Sequence, residues 1–460
     1  MSPRITSASG SIVLTFPNLV SRLRELMESF PDNRSGQPNA KYKISELGMS
    51  AFSVFWTQSP SFLEHQRRME SGVGVNNARM IFVIEELPSD NQIRDILDDV
   101  SPSHVSGVFD EILTSLEKKG VLEEFRSLYE TYVVALDGLQ YHSSQKVHCE
   151  NCNTKKHKDG KVTYSHTMVA ASIVKAGNDK VICLAPEFIT PQDGHEKQDC
   201  ELAAGKRLIA AKAPLFRELG VTITGDDLYC HQPFCEQLIA EGLKFVLICK
   251  PESHKITYEL IEELDAQGGV EHLERRRKRK RGNKFVIDHY RFVNNVALRA
   301  GADALEVNWC EIITTDQNGK VLYRNAFATN YELTADNVSE VASAGRARWK
   351  IENEHNNTLK TKGYHLEHNF GHGQEHLSSL LAVLNLLAFL GHTVLEIVDN
   401  LFQELRQRIG RRDTFFGDIR ALTTYWCFGS WRDLLLCMKE GLEKSRPPPP
   451  PGTVISYARV

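Results

Sequence analysis

Between Tyr132 and Cys249 the chain passes through short β-branched runs and helix-period segments in an order that few architectures accept. Tyr132–Leu136 reads as a first strand and stops at Asp137-Gly138. Val162–Val174 and Lys180–Leu184 read as the second and third strands. Glu201–Leu219 repeats its apolar residues with a helical period. Val221–Thr224 is a fourth strand that stops at Gly225-Asp226-Asp227, Pro233–Glu241 a short helix, and Lys244–Cys249 a fifth strand. Three strands, helix, strand, helix, strand predicts a mixed α/β sheet with acids at the ends of its first and fourth strands.

The flanks have a different texture. Residues 1–130 are expected to be a helical N-terminal domain and a candidate for DNA binding, with helices over Leu19–Phe30, Ser45–Trp56, from Ser89-Asp90 onwards, and over Val108–Tyr129. Residues 131–250 carry the first part of the core. Residues 251–332 read as a β-rich insertion, in which Leu305–Thr315 and Lys320–Phe327 flank the hairpin signal Asn318-Gly319. Residues 333–400 return to helix, with Glu340–Lys360 expected as one long element. Residues 401–460 are expected to be a helical C-terminal region ending in a tail with five consecutive prolines.

Charge is informative only by region. The chain has 55 Lys+Arg against 59 Asp+Glu, a net charge of −4, which on average speaks against a nucleic-acid binder. The first 136 residues hold 13 basic and 18 acidic side chains, and the remainder hold 42 and 41. The base is concentrated in the unbroken run Arg275, Arg276, Arg277, Lys278, Arg279, Lys280 and Arg281. Ten cysteines in 460 residues exclude a disulfide scaffold. The N-terminus lacks a signal-peptide pattern. The apolar stretch Leu377–Val398 is interrupted by Ser378, Ser379, Asn385, His392 and Glu396, which favours a buried core helix over a membrane span. A cytoplasmic protein without a membrane partner is expected.

Asp137, Asp226 and Glu352 form the informative constellation. If the first and fourth strands are neighbours, two carboxylates leave one edge side by side and repel unless a cation lies between them. Hard oxygen ligands suit Mg²⁺ or Mn²⁺. A third carboxylate from a packed helix completes a two-ion site of the kind that drives phosphodiester transfer. Glu352 stands in GRARWKIENEHNNTLK, bracketed by Arg346, Arg348, Lys350 and Lys360. Arg348 and Glu352 are four residues apart and share a helical face. The bland alternatives are turn-forming acids and a solvated, salt-bridged helix.

On these words, LDGLQY, TGDDLY and RWKIENE, the chain resembles the DDE transposases of bacterial insertion sequences that carry a β-rich insertion between the second and third acids. The spacings of 89 and 126 residues fit that pattern. The resemblance implies a ribonuclease H-like mixed sheet with a β-rich insertion, preceded and followed by helical regions. It implies Asp137, Asp226 and Glu352 as catalytic ligands of two Mg²⁺ or Mn²⁺ ions. It also implies double-stranded transposon ends and target DNA as partners, a homodimer in the DNA complex, and a nucleoid-associated prokaryotic location. Two positions depart from the family's third-acid signature. Gly345 stands where Tyr is usual, and Leu359 where Lys is usual, with Lys360 next to it. Asp226 is preferred over Asp227 because Gly225, Leu228 and Tyr229 fit the family's word around it.

Two further features carry chemistry. Cys149-x2-Cys152 is a zinc half-knuckle, and His157 and His166 are the expected completing ligands of a structural Zn²⁺ site. Free thiols are the alternative. His365, His368 and His372 follow the third acid as a loop with a second metal reading. The basic run, with Arg346, Arg348, Lys350 and Lys360, is expected to contact DNA phosphates, which gives affinity and not sequence choice. Trp309 and Trp349 are candidates for base stacking or core packing. Two other readings remain open: a transposase-derived DNA-binding protein without activity, and a ribonuclease H-like nuclease.

Overall fold

The computed structural model describes residues 14–34, 41–191, 199–278 and 285–443. Arg279, Lys280, Arg281 and the proline tail lie outside the described residues. Six helices come first: α1 (Phe16–Glu28), α2 (Ile44–Trp56), α3 (Phe62–Met69), α4 (Gly72–Phe82), α5 (Asp90–Leu97) and α6 (Ser103–Lys118). Ser89 opens α5 with a capping box, its hydroxyl accepting from the Gln92 N–H while the Gln92 side chain reaches back. The helix expected to continue to Tyr129 stops at Lys118 and gives way to two short 3₁₀ turns.

The sheet follows: β1 (Tyr132–Ser144), β2 (Asn153–Lys156), β3 (Val162–Val174), β4 (Ile182–Cys183), β5 (Glu187–Ile189), then α7 (Glu201–Leu219), β6 (Val221–Gly225), α8 (Gln232–Ala240) and β7 (Lys244–Ile248). The insertion adds α9 (Lys255–Ala266), β8 (Glu271–Lys278), β9 (Phe285–Ala297), β10 (Glu306–Asp316) and β11 (Val321–Thr329). All eleven strands form one sheet in the order β2-β3-β1-β6-β7-β11-β10-β9-β8, with β4 and β5 paired to β3. The pairs β1–β6 and β6–β7 are parallel, and the others are antiparallel. The insertion is therefore no separate β body. It returns to β7 through β11 and adds four strands to the core sheet.

Helices resume with α10 (Val338–Arg346), a π-helical turn (Ile351–Asn356), α11 (Asn357–Thr361), α12 (Leu377–Val398), α13 (Asn400–Ile409), α14 (Arg412–Tyr425) and α15 (Trp431–Leu442). The single helix expected over Glu340–Lys360 is thus broken into three pieces. Gly345 lies where α10 meets the sheet: a Cβ there would stand 2.5 Å from the Phe327 ring and 2.9 Å from Val246. A bulky residue at 345 would lift the helix off β7 and β11.

The N-terminal and C-terminal helices share one core and are not separate bodies. Every residue of α2 is buried, Glu46 and three serines among them. The Trp56 ring lies 4.3 Å from His392 on α12 and 5.7 Å from Trp431 on α15. Asn77 Nδ2 donates to the carbonyls of Thr423 and Trp426. Asp98, just past α5, accepts from the backbone N–H groups of Gln374, Glu375, His376 and Leu377, so an acid from the first helical region caps the start of α12. Among the described residues α12 is the one helix long and apolar enough to cross a membrane, and it runs through the middle of this core, largely buried.

Candidate active site

Asp137 does not end its strand. It is the sixth residue of the thirteen in β1, because antiparallel pairing with β3 carries the strand on to Ser144. What ends near Asp137 is the parallel neighbour. Tyr132 to Ala135 pair with Val221 to Thr224, and the same register carried two residues further puts Asp226 opposite Asp137. The two acids therefore leave the C-terminal edge of a parallel pair side by side, where open α/β sheets place their ligands.

Asp226 Oδ1 accepts from the Leu228 N–H at 2.9 Å, a local turn that fixes the carboxylate at the strand mouth. Asp227 faces elsewhere. It accepts from the Lys250 N–H at 2.7 Å and from the Ser253 hydroxyl, and so holds the turn between β7 and α9.

The third acid arrives on the π-helical turn. A turn closed by i→i+5 bonds holds one more residue than an α turn, and such turns recur at functional sites. The extra residue advances the helical phase, so Lys360, eight residues after Glu352, falls near the direction a residue seven on would take in an uninterrupted α-helix. Ile351, His355 and Asn356 are buried by the turn, and Glu352 stays 49% exposed. Arg348 lies between two acids: its guanidinium pairs with Glu352 and stands 3.5 Å from Asp137 Oδ1. Asn356 Nδ2 donates to Asp137 Oδ2 at 2.7 Å.

A fourth acid adjoins this group. Glu201, the first residue of α7, accepts from the Tyr229 hydroxyl at 3.0 Å and lies against Gly138, where a Cβ would stand 2.1 Å from its carboxylate oxygen. The glycine after Asp137 is thus a space for Glu201. Sequence reasoning missed Glu201 and Asn356. Glycine in LDGLQY was the available signal for the first, and nothing in the sequence marked the second.

Electrostatics bind these residues into one unit. Burial pushes the Asp137 carboxyl up to about 7; Arg348 opposes the rise, while Glu352, Glu201 and Asp226 add to it. Burial also raises Glu201, against the Tyr229 hydroxyl and with the help of Asp226. Hard carboxylate oxygens crowded until one resists ionisation fit a divalent cation, which would replace repulsion with coordination.

The other expected site residues separate. Arg346 lies over the Tyr323 ring at 4.2 Å. Lys350 is 6% exposed and pairs with Glu354 at 3.3 Å, so it is no open phosphate contact. Lys360 pairs with Glu367 at 2.8 Å. In the basic run, Arg275 donates to Ser339 and to the Ala335 carbonyl, Arg277 pairs with Asp288, and Arg276 covers the Phe285 ring. These residues and the exposed Lys278 form the edge strand β8, where charge also blocks sheet-to-sheet association. Trp309 is buried against Tyr258, whereas Trp349, beside Arg348, is 43% exposed.

The expected zinc set needs one correction. Cys149, Cys152 and His166 come together, and His157 does not join them. His157 is exposed on the turn between β2 and β3, its ring bonded to Thr163 Oγ1 at 2.8 Å. His157 follows the last pair of the β2–β3 ladder, Lys156 with Val162, whereas Cys152 and His166 flank its other end, where Asn153 pairs with Ser165. His372 takes the fourth place, while His365 and His368 stay outside.

A sheet of this strand order, with acids gathered at the mouth of its central parallel pair, defines a ribonuclease H-like transposase fold. The family model described as Transposase DDE domain matches residues 139–390, more than half of the chain, and the chain belongs to that family. No curated protein matches it. Membership implies DNA as a partner and divalent cations as the family's general cofactors.

Proposed function

We propose that the chain binds transposon-end DNA and catalyses metal-dependent strand cleavage and strand transfer, with Asp137, Asp226 and Glu352 as the ligands of two Mg²⁺ or Mn²⁺ ions. The observation that carries this reading is the delivery of three carboxylates, from β1, from the mouth of β6 and from the π-helical turn, to one place, where Glu352 and Asp226 add to the cost of ionising the buried Asp137. The ions would supply activation of the attacking water or 3′-hydroxyl and neutralisation of the leaving oxygen.

The chain's own residues have separable tasks. Asn356 holds one Asp137 oxygen and leaves the other turned towards Arg348 and Glu352. Glu201 and Tyr229 wall the site from the α7 side. Arg348 balances the acids until DNA arrives, and its guanidinium can then pass to a phosphate, for which its planar donors are suited. Trp349 offers an exposed ring for an unpaired base at a strand end. Two DNA ends cut in concert require two such centres, so a homodimer is the expected DNA-bound form.

The test uses the full chain, a supercoiled plasmid carrying the DNA that flanks its reading frame, and Mg²⁺ or Mn²⁺. Nicking and joining should appear with the metal and disappear in Asp137→Ala, with end binding retained. Nicking by Asp137→Ala at the rate of the unaltered protein would overturn the assignment. A well-folded chain that binds the ends and never cuts would favour the inactive, DNA-binding reading.

A further inference from the structure

Cys149 and Cys152 sit on a tight turn after β1, with the Cys152 N–H bonded to the Cys149 carbonyl at 3.2 Å. His166 is on β3, and His372 comes from the connection between α11 and α12, more than 200 residues away. All four side chains belong to residues at most 9% exposed. The two sulfurs are 3.9 Å apart. Sulfur to nitrogen distances are 3.5 Å for Cys149–His166, 3.4 Å for Cys152–His166 and 3.4 Å for Cys152–His372. The two imidazole Nε2 atoms are 3.2 Å apart.

These five separations match edges of a zinc tetrahedron, and the sixth, between Cys149 and His372, lies within 4.8 Å. With Zn–S near 2.3 Å and Zn–N near 2.0–2.1 Å, a regular tetrahedron has edges of about 3.8 Å for S–S, about 3.6 Å for S–N and about 3.4 Å for N–N. The His372 tautomer is set for it. Nδ1–H donates to the Gly373 carbonyl at 2.9 Å, which leaves the Nε2 lone pair facing the other three donors. Two imidazole nitrogens brought that close, out of water and beside two thiols, repel unless a cation or a shared proton lies among them.

We propose that Cys149, Cys152, His166 and His372 bind one structural Zn²⁺ ion that staples the outer end of the β1–β3 hairpin to the connection between α11 and α12. The ligand set is closed, with four protein donors and no position left for substrate, as structural zinc sites are. The staple acts on the site's scaffold from both sides. One anchor adjoins β1, the strand of Asp137, and the other is His372, which follows the π-helical turn of Glu352 by one short helix and a loop. Beyond His372 the same connection is held by Asp98 at the start of α12. The connection has no long secondary structure, so metal binding supplies order that packing alone does not. The proposal stands on these four residues and is independent of whether the carboxylates cut DNA.

The experiment is metal analysis of the full chain, grown with zinc and purified without chelator, beside three variants. About one zinc per chain is expected for the unaltered protein and for His157→Ala, and a loss of most of it for Cys152→Ser and His372→Ala. Folded protein without zinc overturns the site, and zinc lost from His157→Ala but kept by His372→Ala overturns this ligand set. If the ligand variants do not fold, the unaltered chain still decides. Replacement of its metal by Co²⁺ should give the intense visible bands of a tetrahedral thiolate–imidazole site. Chelation should speed hydrogen exchange both in residues 145–168 and in residues 362–376. Weak octahedral bands, or faster exchange confined to the first segment, would overturn the staple.

Discussion

The carboxylate cluster and the Cys/His cluster draw on neighbouring parts of the chain and are opposite in design. Each takes residues from the β1–β3 region and from the segment after residue 350. The first gathers hard oxygen donors that repel one another, keeps Glu352 half exposed, and holds Asp137 reluctant to ionise near neutrality. The second gathers soft sulfur and nitrogen donors at tetrahedral distances with all four residues buried. Unsatisfied charge with an open side is what a reactive centre needs, and a closed set is what a fastening needs. Because both adjoin β1 and the segment after the π-helical turn, the rigid one can set the geometry of the labile one.

The contrast can be broken most sharply at the acids. Asp137→Asn should reduce DNA cleavage by about three orders of magnitude, ~4 kcal/mol of transition-state stabilisation, without lowering the thermal midpoint at pH 8, because burial and the neighbouring acids make that charge costlier to hold than Arg348 repays. A variant that melts well below the unaltered protein would make Asp137 a structural acid instead. At the other cluster the signs reverse. His372→Ala should lower the thermal midpoint by on the order of 5 °C or more, and His157→Ala should leave it unchanged. Equal melting of both variants would remove the distinction between the two histidines.

Smaller effects sharpen the picture. Asn356→Ala frees one Asp137 oxygen and should slow cleavage about tenfold with little change in DNA affinity, as kinetic measurements at saturating DNA would report. Joint replacement of Arg276 and Lys278 by Ala should lower the salt dependence of DNA binding by about one unit of slope per lost phosphate contact. An unchanged slope would leave β8 as a protective edge only.

The smallest expected effect concerns acid. Burial holds His65 and His392 well below their ordinary value of 6.5 and His355 at about 4, so the folded chain keeps all three neutral. Below pH 6.5 the unfolded chain binds protons that the folded chain refuses. Stability should then fall as pH drops from about 6.5 towards 4. His392→Gln should flatten that slope in thermal melts, and an identical slope would assign the acid sensitivity elsewhere.

Much of the core was legible because strands and helices announce themselves by period. Val162–Val174 and Glu201–Leu219 match β3 and α7 to the residue. Other features had no periodic signature. The π-helical turn hides in a segment whose pattern reads as continuous helix. The helices α3 and α4 are short and lie under a shared helical core, so neither shows a long amphipathic stripe. His157 was favoured over His372 because distance along the chain stood in for distance in space.

By itself the sequence determined the order of elements, the placement of charge, and which residue types were available: acids after two β-branched runs, a Cys-x2-Cys turn, and an arginine four residues before a glutamate. Those are properties of local pattern, carried by residues that are neighbours in the chain. Tertiary structure alone decided which of them meet. Asp226 faces Asp137 because two strands pair in parallel with a particular register. Glu201 joins them because residue 138 has no side chain. His372 meets Cys152 from 220 residues away, in a connection that Asp98 of the first helical region holds at the start of α12. Long-range pairing obeys packing and hydrogen bonding across the whole fold, and no local window of sequence contains that information.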